Sequence, residues 1–131
     1  MVEVIAFPSA EAIFVSYVSA RLAARAITAT VATKVPATRP DQLVKIRRIG
    51  GTSVNMVMDA PMVVFDCWAP TEIDAEALAC VVRAEVLAMP GQSDSCAHVY
   101  EVGGPVNQPD PDSNSPRYVF TVVAHLRGSV I

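Results

Sequence analysis

The middle of the chain, residues 43–89, carries a hydrophobic pattern that predicts two strands followed by a helix. Residues 43–49 place β-branched and charged side chains at a spacing of two, which is typical of a half-exposed strand. Gly50-Gly51 is then predicted to form a turn, because adjacent glycines reach positive φ angles. Residues 61–68 are more apolar, which favours a strand nearer to the middle of the sheet.

A helix is predicted after Pro70, where Thr71 and Asp74 resemble a capping box. Apolar side chains at helical spacing predict its buried face: Ile73, Ala77, Leu78, Val81 and Val82. Another helix is predicted over residues 10–26, following Pro8-Ser9, and it carries Phe14, Val18 and Leu22 at the same spacing.

Shorter patterns predict strands at residues 28–35 and 97–102, and a long strand over residues 117–127. One face of that long strand is purely apolar, and we expect it to meet the helices through Phe120 and Val122. Between these strands, residues 103–116 contain four prolines and no periodicity, so we predict a long loop.

These elements predict an α+β fold in which two helices pack on one face of a mostly antiparallel sheet of four or five strands. With 131 residues, the chain is expected to form a single domain over residues 1–131. Its composition is 52% hydrophobic and 18% charged, so either much of the chain is core or some apolar surface is reserved for partners. The sheet face away from the helices is less apolar and is left for contacts between chains.

Charge and cysteine content narrow the function classes. A net charge of −3 argues against a nucleic-acid surface held by phosphate contacts. Three cysteines cannot all pair within one chain, and Cys67 and Cys80 are expected to be buried thiols of a reduced, intracellularly made protein. We expect no signal peptide, since acidic Glu3 stands where a basic n-region would lie. We also expect no membrane partner, since no apolar run approaches the ~18 residues of a span.

Few residues suggest chemistry. Cys96 and His98 could form half of a metal site, but no second ligand pair with zinc-site spacing accompanies them. Asp66 and His125 lie on different predicted strands and could form an acid–base pair, but an outward-facing histidine near the end of a strand is more often a polar surface residue. We therefore predict no catalytic residue, no cofactor and no metal.

The candidate residues are instead ones that could contact another chain. Lys45 and Arg47 point away from Val44 and Ile46 and could meet acidic groups on an adjoining subunit, or simply be solvated. Residues 52–60 could be a hairpin strand or a protruding loop, whose methionines suit an adaptable partner surface or fill the core. The full set is Lys45, Arg47, Arg48, Met56, Met58, Asp110 and Asp112.

The order of several short motifs over residues 35–128 resembles the tail terminator proteins of long-tailed bacteriophages. The motifs are Val35-Pro36, Arg39-Pro40, Arg47-Arg48-Ile49-Gly50-Gly51, MVVFDCWA at residues 62–69 with the alanine-rich helix after it, Pro109-Asp110, Pro116-Arg117-Tyr118, and Phe120-Thr121-Val122 with Leu126-Arg127-Gly128. The first helix agrees in type but not in residues.

This resemblance implies a structural virion protein rather than an enzyme. Such proteins form a six-membered ring at the head-proximal end of the tail tube, stop tube polymerisation, and dock to the head connector or stopper protein. DNA passes through the ring as cargo. A domain of this size has a radius of gyration of ~14 Å, so six copies leave a hole of roughly 35 Å, wide enough for a duplex. The expected location is the phage tail and neck, after synthesis in the host cytoplasm.

Two alternatives remain open at this point. The first is another neck or tail-tube component, because such proteins share small α+β or β-rich folds. The second is a small cytoplasmic α+β enzyme or ligand-binding dimer that uses the free sheet face as a pocket. A concave pocket containing a titratable group with a shifted pKa would favour the second alternative.

Overall fold

The computed structural model describes residues 2–131, which form the predicted α+β fold. Within these residues, two helices pack against a five-stranded sheet, and a separate two-stranded ribbon joins the two ends of the chain. The helices are α1 (Ala10–Ala24) and α2 (Glu72–Leu87), and a 3₁₀ turn follows at Met89–Gly91. The strands are β1 (Ile5–Ala6), β2 (Thr30–Ala32), β3 (Leu43–Ser53), β4 (Met58–Trp68), β5 (Cys96–Asn107), β6 (Arg117–Arg127) and β7 (Ser129–Val130).

The large sheet has the order β2-β3-β4-β6-β5. Strand β2 runs parallel to β3, and the other neighbouring strands are antiparallel. Strand β4 lies in the middle, as its apolar sequence predicted, and β6 has the predicted bounds. Strands β1 and β7 pair antiparallel to each other and form the small ribbon.

The hydrophobic core lies between the helices and one face of the sheet. Phe65 and Phe120 are cross-strand partners whose rings stack with centroids 4.7 Å apart, and Phe14 of α1 meets Phe65 edge-on at 5.4 Å. Val122 is also fully buried, so the predicted meeting of the long strand's apolar face with the helices is confirmed.

Both helices begin where the sequence predicted, because a side-chain oxygen caps each first turn. Ser9 accepts a hydrogen bond from the Ala12 N–H at 3.1 Å, and Thr71 accepts one from the Asp74 N–H at 3.1 Å. The helices are joined at Glu85, whose buried carboxylate accepts a hydrogen bond from Arg21 Nε at 2.7 Å. Helix α1 ends at Ala24, two residues before the predicted end.

The predicted buried face of α2 is wrong in part. Ile73 is 81% exposed and Ala77 is exposed, whereas Ala75 and Ala79 point into the core. Helix α2 is apolar on two sides, so helical spacing alone fits more than one buried face. For the same reason Cys80, predicted to be buried, is exposed, while Cys67 is buried as expected.

Three predicted boundaries also change. Gly50-Gly51 does not end the strand: the two glycines have φ angles of 120° and 91° and lie at a β-bulge inside β3. The turn falls at residues 54–57, so residues 52–60 form the tip of the β3–β4 hairpin. Strand β5 continues through two register shifts to Asn107, which shortens the predicted loop to residues 108–116. The predicted strand at residues 28–35 contains only Thr30–Ala32.

Candidate functional site

One end of the large sheet carries a cluster of exposed apolar side chains, which we call the apolar end. It combines β1 and the residues around it, β7 with the C-terminal residue, and the tip of the β3–β4 hairpin. Its members are Val2, Val4, Phe7, Val54, Met56, Val57, Val130 and Ile131, all at least 36% exposed. Large exposed patches of this kind mark interaction surfaces more often than isolated apolar residues do.

Backbone contacts fix the parts of the apolar end against one another. The Gly128 N–H donates to the Val57 carbonyl oxygen at 2.9 Å, and the Ile131 N–H donates to the Val4 carbonyl oxygen at 3.0 Å. A Cβ atom at Gly128 would lie 2.6 Å from Ile5 Cγ2, so only glycine allows the ribbon to lie this close. Between the ribbon and the hairpin tip lies an open groove of about 550 Å³, lined by residues 2–5, Phe7 and residues 53, 55 and 56.

An ion pair between the partly exposed Arg48 and the buried Asp59 joins the two strands of the hairpin. Arg48 Nη1 lies 2.9 Å from Asp59 Oδ2, and the Asp59 side chain is only 4% exposed. The Arg48 N–H donates to Glu11 Oε2 at 3.0 Å, which ties β3 to the start of α1. Arg48, predicted as a contact residue, therefore has an internal structural role.

The predicted methionines lie in different environments. Met56 is 70% exposed at the hairpin tip, as expected for an accessible contact residue, whereas Met58 begins β4 and is half-buried. The tip is shaped by an Asn55 side chain that accepts a hydrogen bond from the Val57 N–H at 2.9 Å. Only Met56 thus offers most of its side chain to a partner.

Lys45 and Arg47 lie on the sheet face away from the helices, while Val44 and Ile46 are buried in the core, as predicted. Arg47 is not free, because its Nε lies 3.4 Å from Oδ2 of the buried Asp66. The acid–base pair of Asp66 with His125, which the sequence left open, does not form. Asp66 is paired with Val119 in the sheet, six residues from His125, a distance of roughly 20 Å along the strand.

The opposite end of the sheet, which we call the polar end, contains the loop 108–116. Asp110 Oδ2 accepts a hydrogen bond from Trp68 Nε1 at 3.2 Å, and its Oδ1 accepts one from the Asp112 N–H at 2.9 Å. The Arg117 guanidinium lies 5.3 Å from the centre of the Trp68 ring. Arg39 donates to Ser115 Oγ at 2.8 Å. The side chain of Asp112 is exposed.

These contacts change the charge chemistry of Asp110. Its pKa is held below the usual value by the hydrogen bond from the Asp112 backbone, with further lowering by Trp68 and Arg117, despite an opposing effect of burial. Asp110 is therefore used within the chain. Of the two loop carboxylates in the predicted contact set, Asp112 is the one left for a partner.

His98 and His125 are direct cross-strand partners, a contact that the sequence analysis missed. Their ring centroids lie 5.5 Å apart, and Tyr100 lies 5.9 Å from His98. This contact depends on the register of β5 against β6, which bulges shift. That register cannot be predicted from the sequence of either strand alone.

In residues 2–131 no group of three or more His, Cys, Asp or Glu side chains is arranged to hold a metal ion. The helices of that range also include none that is long and apolar enough to cross a membrane. A scan against protein-family models finds no match, and a search of curated proteins finds none.

Proposed function

We propose that this protein is a ring-forming subunit that caps the head-proximal end of a bacteriophage tail tube. The ordered motifs over residues 35–128 support this function, and the α+β domain with two helices on a mostly antiparallel sheet is compatible with it. The observation that carries the proposal is the apolar end, which exposes eight large apolar side chains. Such a surface is expected of a subunit whose final state is an assembly.

The energetics of burial favour this use. Fully covering a Val, Met or Phe side chain contributes about 1.5–3 kcal/mol relative to leaving it in water. Val54, Met56 and Val57 lie together on one turn, and the ribbon adds further apolar side chains beside them. In a ring the same contact is repeated in every copy, so a modest contact becomes a strong bias toward assembly.

The partners follow from the proposed position. They are further copies of this chain, the tail tube protein, and the head connector or stopper protein. With a net charge of −3 per chain, a hexamer would have a net charge of −18. An acidic ring of this kind would let DNA pass through its lumen without binding the phosphates. The half-buried Lys45 and the exposed Asp112 are candidates for polar contacts at the rim of these interfaces.

Electron microscopy of phage particles that lack this chain tests the proposal. We expect unattached heads beside tails of irregular length, because nothing stops tube growth or docks the tube to the head. Loss of all tails would instead indicate a tube subunit, and normal-length tails without heads would indicate a connector-side neck protein. Normal attached tails would contradict a structural role.

A further inference from the structure

The outward face of α2 carries a second apolar stripe, which we call the outer stripe. Its members are Ile73, Ala77, Cys80, Ala84 and Leu87. All five are exposed, with Ile73 at 81% and Leu87 at 38%. The opposite face of the same helix is filled by core residues, so the outer stripe is additional to what the fold needs.

The spacing of the outer stripe is that of a helix–helix seam. Its members are separated alternately by four and three residues, which keeps them on one face over the 16 residues of α2. The three central side chains are small and allow close approach of a second helix, while the two ends carry branched apolar side chains. A helix that is apolar on both sides is normally covered on both sides.

The stripe is symmetric about Cys80. Ile73 lies seven residues before it and Leu87 lies seven residues after it. If a second α2 runs antiparallel, with a two-fold axis at Cys80, Ile73 of each copy packs beside Leu87 of the other. Ala77 of one copy then lies within one residue of Ala84 of the other. A self-complementary contact of this kind is what an isologous dimer requires.

The charges along one edge of the stripe fit the same arrangement. Glu76 and Arg83 lie on the same flank of α2, four residues before and three residues after Cys80. The antiparallel pairing therefore brings Glu76 of one copy next to Arg83 of the other, and the two-fold axis repeats the contact. Arg83 also binds Glu101 of its own chain through Nε and Nη2, so its Nη1 is the donor that would meet Glu76 of the other copy.

We propose that the free chain forms a two-fold dimer through the outer stripe of α2. An isologous contact is satisfied by two copies and does not by itself generate a closed ring of six. The dimer is therefore distinct from the ring proposed above and uses a different surface from the apolar end. The purified chain alone can test it, so its failure is separate from failure of the tail-capping function.

Sedimentation velocity of the purified chain at up to ~100 µM measures the dimer directly. We expect twice the chain mass of 13.9 kDa for the wild type. Ile73→Glu is expected to raise the dissociation constant at least ~10-fold by placing a charge in the seam. A glutamate in the first turn of α2 favours the helix, so loss of the dimer is not explained by unfolding, and circular dichroism checks this. Met56→Glu, at the apolar end, is the matched control and should remain dimeric.

Cysteine crosslinking gives an independent readout of the axis. Copper–phenanthroline should oxidise the two thiols of a dimer to one Cys80–Cys80 disulfide, and Cys80→Ser should abolish this product. Ile73→Glu should slow crosslinking in parallel with the loss of dimer. A monomeric wild type at ~100 µM, crosslinking unchanged by Ile73→Glu, or a dimer lost in Met56→Glu but kept in Ile73→Glu would each overturn the proposal.

Discussion

The two ends of the large sheet differ in whether their side chains have contact partners within the chain. At the polar end, Asp110, Trp68 and Arg117 contact one another, and Arg39 donates to Ser115, so polar groups find partners within the chain. At the apolar end, Val54 and Met56 are exposed at the tip of a well-defined hairpin. The difference indicates that the apolar end leaves more apolar surface for another molecule than the proline-rich loop does.

The contrast separates two of the candidate contact residues. The sequence placed Asp110 and Asp112 together in the loop at the polar end. The structure uses one of its carboxylates internally and shortens the loop to residues 108–116. The hairpin tip, which the sequence left ambiguous between core filling and contact, exposes Met56 at 70%.

The hairpin at the apolar end is expected to be most sensitive at Gly51. A Cβ atom there would lie 2.3 Å from the Ala60 carbonyl oxygen, and the φ angle of 91° strains any other residue. Gly51→Ala should lower the free energy of unfolding by about 3 kcal/mol, as measured by urea denaturation.

Gly50→Ala is the matched control for this prediction. Gly50 has a φ angle of 120°, but a Cβ atom there meets nothing within 4 Å. Its cost should come from backbone strain alone, about 1–2 kcal/mol. Equal losses for the two variants would show that the close approach of β3 to β4 at Gly51 does not hold the hairpin.

The polar end should depend on the carboxylate of Asp110. Asp110→Ala removes the acceptor for both Trp68 Nε1 and the Asp112 N–H, and should cost about 1–2 kcal/mol of unfolding free energy. The fluorescence of Trp68, the one tryptophan of the chain, should change with it. Asp112→Ala removes a neighbouring exposed carboxylate and should cost less than about 0.5 kcal/mol. Similar effects of both variants would mean that the loop is not anchored through Asp110.

The same carboxylate predicts a pH dependence with a definite sign. Because the folded pKa of Asp110 lies below the usual value of 3.8, its contribution to stability is full above that value. The contribution is lost as the pH falls through the folded pKa. Acid titration followed by Trp68 fluorescence should show this transition in the wild type and not in Asp110→Ala. An unchanged transition in the variant would assign it to other carboxylates.

The ion pair on the outer sheet face should give a smaller effect. Arg47→Gln leaves the buried carboxylate of Asp66 without its cation and should cost about 1 kcal/mol, whereas Lys45→Gln should cost about 0–0.5 kcal/mol. Thermal unfolding of both variants makes the comparison. A larger loss for Lys45→Gln would contradict the assignment of Arg47 as the partner of Asp66. Lys45→Glu is accordingly a cleaner probe of subunit contacts than Arg47→Glu.

The sequence pattern predicted an element correctly where it was compatible with only one structure. Strand β6 and the burial of Phe120 and Val122 follow from a period of two over eleven residues. The buried face of α2 was misjudged because two apolar stripes satisfy the same helical period. The Gly50-Gly51 bulge was mistaken for a turn because glycines with positive φ angles occur in both structures. The bond between Trp68 and Asp110 depends on partners 42 residues apart, which local patterns do not determine.

The most direct test of the central claim is assembly in phage particles whose own copy of this chain is replaced by a variant. Val54→Asp with Met56→Asp changes only exposed side chains of the apolar end, so the isolated chain should keep its stability within about 0.5 kcal/mol per site. Electron micrographs should nevertheless show unattached heads and tails of irregular length. Asp41→Ala, which removes an exposed carboxylate just before β3, at the end of that strand away from the hairpin tip, should give normal particles. Normal attached tails with the apolar-end variant would contradict the account.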